Sequence, residues 1–223
     1  IYLVSIQLFV NMNKEYPKKI ADNVIMYSAD PIIYEVRDFL TPKECNAFIE
    51  AGKSKLAPSK VITTSKGKST FHPSRISQNC FLPHNTNSLI DEVSKRISIL
   101  AQTSIRNAEA YQLVYYEVGG EYKPHFDGFN YETEKDWFEN GGQRIITVIA
   151  YLNDVEEGGG TSFPEIGINI TAKQGNVVVF HNSLPSKNSL HPIIHPKSLH
   201  GGMPVIRGEK WMINLWFREN PLN

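Results

Sequence analysis

The chain has 223 residues, 23 Lys and Arg balanced by 23 Asp and Glu, and 41% hydrophobic residues. Neutrality removes the electrostatic case for nucleic acid or an anionic membrane as partner. The ordinary apolar content excludes disordered and collagenous classes, and two cysteines (Cys45, Cys80) cannot make a disulfide framework.

In chain order, the apolar run IYLVSIQLFV at 1–10 falls short of the about 20 residues that cross a bilayer. It reads either as the remnant of an N-terminal anchor, the only route to a membrane in this sequence, or as an edge strand. Thr41-Pro42-Lys43-Glu44 supplies a cap, a proline at the first helical position and a capping-box acid. Cys45, Phe48 and Ile49 then form an apolar stripe, so a helix is predicted here. A second helix begins near Ser88, with Leu89, Ile90, Val93, Ile97, Leu100 and Ala101 on one face. From Tyr111 onward short β-rich runs recur between glycines and prolines, over 111–118, 144–153, 159–166, 168–172, 176–182 and 210–219. Many short strands separated by turn signals argue for a sandwich or barrel and against βαβ units. Gly158–Gly160 lack the Lys-Ser/Thr of a phosphate loop and read as a turn. The predicted fold is α+β and mainly β. An N-terminal segment (1–30) precedes a single domain (31–223), built of helical support (31–110) and a jelly-roll core (111–219).

Seven histidines are what composition alone does not explain, and four of them (His181, His191, His195, His200) fall within twenty positions. A different histidine opens the chemistry. In His125-Phe126-Asp127, positions two apart on a strand share a face, so imidazole and carboxylate project into one space. A second histidine would complete a two-His, one-carboxylate set, which holds Fe(II) and leaves positions open. His200 leads a glycine turn and a strand and is the first choice; His181, after VVVF, is the second. His191 and His195 lie in a proline-studded stretch that reads as surface loop.

The segments YQLVYYEVGGEYKPHFD, RIITVIAYLNDVEEGGGTSFPE, GNVVVFHN and HGGMPVIRGEKWMINLWFRE occur in this order. Together they resemble the prolyl 4-hydroxylases of the collagen, plant and algal type, which are Fe(II)- and 2-oxoglutarate-dependent dioxygenases with a double-stranded β-helix core. The resemblance covers about residues 30–219. It implies His125, Asp127 and His200 as iron ligands and Lys210 as the cation for the far carboxylate of 2-oxoglutarate. Tyr116, Thr161 and Tyr151 would line the cosubstrate pocket. Arg75, Tyr122, Arg144 and Trp216 would hold the peptide, and ascorbate is implied as a further cofactor. Read without the resemblance, Tyr116, Tyr122 and Trp216 are equally plain strand core, and Arg144 an ordinary ion pair. The segment 127–142, polar and aromatic, is expected at the rim that meets the peptide.

The expected activity is hydroxylation of proline in proline-rich or collagen-like peptides with O2 and 2-oxoglutarate, releasing succinate and CO2. The alternatives are a 2-oxoglutarate oxygenase acting on lysine, a free amino acid or a single protein proline, and a jelly roll that binds without catalysis. Family analogy implies the secretory pathway or endoplasmic reticulum, although residues 81–223 contain no cysteine. A monomer is expected, because the assembly regions of the animal tetramer are missing.

Overall fold

The computed structural model describes residues 16–62, 69–70, 72–187 and 189–222. The apolar decapeptide 1–10 lies outside them. Both predicted helices form. In α1 (Pro42–Gly52) the Thr41 side chain accepts from the Glu44 amide while the Glu44 carboxylate accepts from the Thr41 amide, which satisfies two otherwise orphaned donors. Asn87 caps α2 (Ser88–Leu100) through the Ile90 amide. Arg96 joins the two helices, with Nη1 2.5 Å from Glu44 Oε1.

Fourteen of the strands divide into two sheets facing each other. In chain order they are β1 (Lys18–Ala21), β2 (Val24–Ala29), β3 (Ile32–Val36), β4 (Ala57–Pro58), β5 (Arg75–Ile76), β6 (Gln78–Leu82), β7 (Tyr111–Tyr116) and β8 (Glu121–His125). They continue with β9 (Arg144–Tyr151), β10 (Thr161–Phe163), β11 (Ile168–Ile170), β12 (Val177–His181), β13 (His200–Gly202) and β14 (Lys210–Arg218). The major sheet has nine strands in the order β1-β2-β3-β12-β9-β14-β7-β6-β4, and the minor sheet five, β11-β10-β13-β8-β5. The arrangement is a jelly roll backed by helices, as expected. The N-terminal third is richer in strand than the sequence suggested. Residues 18–36 form three strands that extend the major sheet through β3, which pairs with β12.

Strand parity organises everything else. On β9, Ile146, Val148 and Ala150 pack toward α1 and α2, as do Val177 and Val179 on β12 and Ile213, Leu215 and Phe217 on β14. Their neighbours Ile149, Tyr151, Val178, Phe180 and Met212 fill the space between the sheets with Phe163 and Ile170 from the minor sheet. The major sheet is therefore apolar on both faces. Its β7 and β14 ends, however, turn polar side chains inward, and that is where the site sits. Among the described residues no helix is long and apolar enough to cross a membrane.

Candidate active site

His125 ends β8 and His200 begins β13, and the two are directly paired across the minor sheet. That pairing needs close strand approach. A Cβ at Gly201 would lie 2.9 Å from the Tyr122 carbonyl oxygen, so only glycine lets the segment after His200 lie against β8. Asp127 follows two residues beyond His125. His125 Nε2 is 3.5 Å from Asp127 Oδ1, and His200 Nε2 is 3.4 Å from Asp127 Oδ2. The three donor atoms lie within 4.8 Å of one another.

Each ligand is oriented from behind. His125 Nδ1 donates to the Lys123 carbonyl and His200 Nδ1 to the Ser198 carbonyl, both at 2.9 Å. With the proton on Nδ1, each Nε2 keeps its lone pair for a metal. The Thr147 hydroxyl donates to Asp127 Oδ2 at 2.7 Å and accepts from Asn182 Nδ2 at 2.7 Å. Burial works to raise the Asp127 carboxyl, but His200 and His125 hold it well below the usual carboxylate range. Burial and the neighbouring His200 push His125 down. For His200 burial also pulls downward, and the Asp127 charge overrides it and raises the ring. Two neutral imidazoles and one carboxylate at these separations fit Fe(II) as a facial ligand set.

The triad opens into a cavity of about 660 Å³. Lys210 lies in it, positioned by β14 opposite Tyr116 of β7 and reached through a tight turn at Gly208 with φ +84°. It is 1% exposed, and its Nζ sits over the Tyr116 and Tyr151 rings at 5.2 and 5.5 Å. Among the described residues no carboxylate pairs with it, and burial brings its pKa down to about 7. Thr161, beside it in the cavity wall, shares a 2.7 Å hydrogen bond with the Tyr151 hydroxyl. Tyr151 is wholly buried and supports the pocket from behind.

The other predicted residues also converge on this cavity. Tyr122 stacks on His125 with ring centroids 3.6 Å apart, and Arg75 lies 4.7 Å over the Tyr122 ring while donating to Gln112 Oε1. Arg144 lies 4.0 Å over the Trp216 ring and makes two 2.7 Å bonds to Glu109. The sequence missed Glu109, which sits between Arg144 and Arg218; no short-range pattern marks it. It also missed Thr147, Asn182 and Trp137. Alternation along β9 was the available signal for Thr147.

The remaining histidines take structural places. His181 is half-buried at the end of β12, outside the triad. The loop reading of His195 is corrected: it is 3% exposed, its Nδ1 accepts from the Lys197 amide and its Nε2 bonds Asp30 at 3.0 Å. A ribbon of Ser183–Leu184 with Ile193–Ile194 folds this stretch back onto the body. His191 is held by Glu219 at 2.9 Å.

Comparison with known proteins agrees with this geometry. The 2OG-Fe(II) oxygenase superfamily profile matches residues 111–218. A probable prolyl 4-hydroxylase 10 of Arabidopsis thaliana is 35% identical over 216 residues, covering 87% of this chain and 71% of its own. Prolyl 4-hydroxylase 5 of the same plant is 32% identical over 213 residues, with 87% and 70% covered. The viral collagen prolyl hydroxylase of Paramecium Bursaria Chlorella virus-1, solved with 2OG, superposes with TM-score 0.65 at 26% identity over 83% of this chain and 95% of that one. On its sequence, its fold and its His125-Asp127-His200 triad, the chain belongs to the prolyl 4-hydroxylase family and is an Fe(II)- and 2-oxoglutarate-dependent dioxygenase.

Proposed function

We propose that this enzyme hydroxylates proline within extended, proline-rich peptides. The observation that carries the reading is one cavity joining the triad, a buried lysine with no anionic partner among the described residues, and an aromatic wall. Fe(II), when bound there, would supply the redox chemistry by which O2 gives one oxygen atom to a C–H bond and one to 2-oxoglutarate, which leaves as succinate and CO2.

The chain's own residues do the rest. His125, Asp127 and His200 would hold the metal at the edge of the cavity. Lys210 takes the far carboxylate of 2-oxoglutarate, a charge-assisted bond in a place where neither partner would otherwise be satisfied. Thr161, fixed by Tyr151, and Tyr116 wall that carboxylate. Tyr122 covers His125 on the cavity side and Arg75 covers Tyr122, so the first ligand cannot rotate out of place. Trp216, with Arg144 packed on its face, belongs to the aromatic wall along which a proline ring would lie. Proline-rich chains are preorganised as polyproline II, so binding them in such a groove orders little that was free.

The test is a mass-spectrometric screen of collagen-like, polyproline and hydroxyproline-rich-glycoprotein peptides, incubated with Fe(II), 2-oxoglutarate and ascorbate. Gain of one oxygen on proline, matched by succinate, is expected. Oxygen gained only on lysine or on free amino acids would replace this reading.

A further inference from the structure

Behind the triad, one residue is tied to two of the three ligands. Asn182 directly follows β12 and is 0% exposed. Its Nδ2 donates to the Thr147 hydroxyl at 2.7 Å, and that hydroxyl donates to Asp127 Oδ2 at 2.7 Å. Its backbone reaches toward the other ligand. The Asn182 amide donates to the Ile145 carbonyl of β9 at 2.9 Å, and its carbonyl accepts from the His195 amide at 2.8 Å. His195 opens the short 3-10 turn Pro196–Ser198. The carbonyl of Ser198, itself fully buried, is the one that accepts from His200 Nδ1. Asn182 is therefore fixed from both sides of its own peptide plane, and its side chain is held against Thr147.

The side-chain amide can face only one way. An ionised carboxylate accepts and never donates, so the one hydroxyl proton of Thr147 is committed to Asp127 and Thr147 Oγ1 is left as an acceptor. Asn182 must then present its NH2 to Thr147. With the amide turned over, either two oxygens would meet with no proton between them, or Thr147 would turn its proton away from Asp127. The consequence of this orientation is visible at the far atom. Asn182 Oδ1 is sealed from solvent and has no hydrogen-bond partner among the described residues. Native structures contain few such orphans, and each calls for a reason. Here the reason is the donor at the other end of the amide, which begins a directed chain from Asn182 through Thr147 to Asp127.

We propose that Asn182 is a positioning residue of the iron site, whose side chain fixes the direction of the Thr147 hydroxyl and, through it, the Asp127 carboxylate. This role belongs to the metal site and is the same whatever substrate is oxidised. It also differs from packing in a way that can be measured. The side chain acts on Asp127 only through the Thr147 hydroxyl, so the two residues are coupled and their effects on the metal do not add. Truncating the side chain leaves the backbone bonds that support His200 in place.

The experiment is a double-mutant cycle on metal affinity, read by competing Co(II) against a chromophoric chelator in the absence of oxygen. Asn182→Ala should weaken Co(II) binding about tenfold, the lower end of what is lost when a group supporting a ligand is removed. In the Thr147→Val background the same truncation should weaken it by no more than about twofold. Thr147→Ser, which keeps the hydroxyl, should bind Co(II) as the wild type does and should show the full loss with Asn182→Ala. Equal losses in the wild-type and Thr147→Val backgrounds would overturn the proposal, as would wild-type affinity in Asn182→Ala. Should Asn182→Ala fail to fold, ¹⁵N–¹H spectra of zinc-loaded wild type and Thr147→Val decide the matter. The Asn182 side-chain amide signals, assigned through bonds, should shift when the hydroxyl is lost; unmoved signals would overturn the proposal.

Discussion

Lys210 allows the most quantitative test. Its ammonium is sealed beneath two tyrosine rings, and burial sets its pKa at about 7. A carboxylate brought against it favours the charged form, so the pKa rises in the complex. Wherever the free lysine is neutral, binding 2-oxoglutarate must then take up a proton. With a pKa of about 7, roughly 90% of the free lysine is neutral at pH 8 and roughly 10% at pH 6. The apparent affinity for 2-oxoglutarate should therefore be nearly flat below pH 7 and weaken about tenfold per pH unit above it. Calorimetry on the manganese-loaded, oxygen-free enzyme, in two buffers of different ionisation enthalpy, reads this directly. Near one proton should be taken up at pH 8 and near none at pH 6. Lys210→Met should lower the affinity at pH 6 and abolish both the uptake and the pH slope. An affinity that is level from pH 6 to 9 with no proton uptake would refute the assignment.

Five further outcomes follow from the same geometry. Thr147→Val removes the donor that fixes Asp127 Oδ2 and should lower metal affinity about 10–100-fold, measured by chelator competition; unchanged affinity would count against that role. His200→Ala should abolish 2-oxoglutarate turnover, whereas His191→Ala and His195→Ala retain it. His195→Ala should nonetheless lose about 1–3 kcal/mol in denaturant unfolding, because it deletes a buried hydrogen-bonded ring. Glu109→Gln leaves Arg144 and Arg218 without their shared carboxylate. It should destabilise by about 2–4 kcal/mol, under the full value for a sealed pair because Glu109 keeps 20% of its side-chain surface. Burial pushes the His84 ring below its ordinary pKa. The folded pKa thus lies below the unfolded value of about 6.5. The stability His84 contributes as a neutral ring is complete above that pH and is lost as pH falls below it. His84→Gln should flatten the acid limb of a Tm profile, and an identical slope would dismiss the ring as its cause.

What the sequence made legible was set by distance along the chain. The capping box of α1 and the His125/Asp127 pair are local, and period-2 or capping rules reach them directly. His200 was the first choice of four candidates on pattern, and the resemblance was needed to assign it, since its partner lies 75 positions earlier. Glu109 meets Arg144 across 35 positions and Arg218 across 109. His195 bonds an aspartate 165 positions away. Short-range patterning has no access to such contacts, and a proline-rich stretch reads as exposed until the body it folds against is known. Within 18–36 the pairings β1-β2 and β2-β3 are local, and only β3 finds its other partner, β12, far along the chain. Trp216 shows the converse. Its alternation was visible, but parity does not say which face of β14 is core and which is cavity.

The central claim is oxidation of peptidyl proline driven by the His125-Asp127-His200 site. It is tested most directly by counting products: oxygen gained on proline against succinate released, with ¹⁸O2 and a proline-rich peptide. One labelled oxygen on proline per succinate is predicted for the wild type, with neither product from His200→Ala. Succinate released at the same rate with and without peptide, and no label on proline, would contradict it.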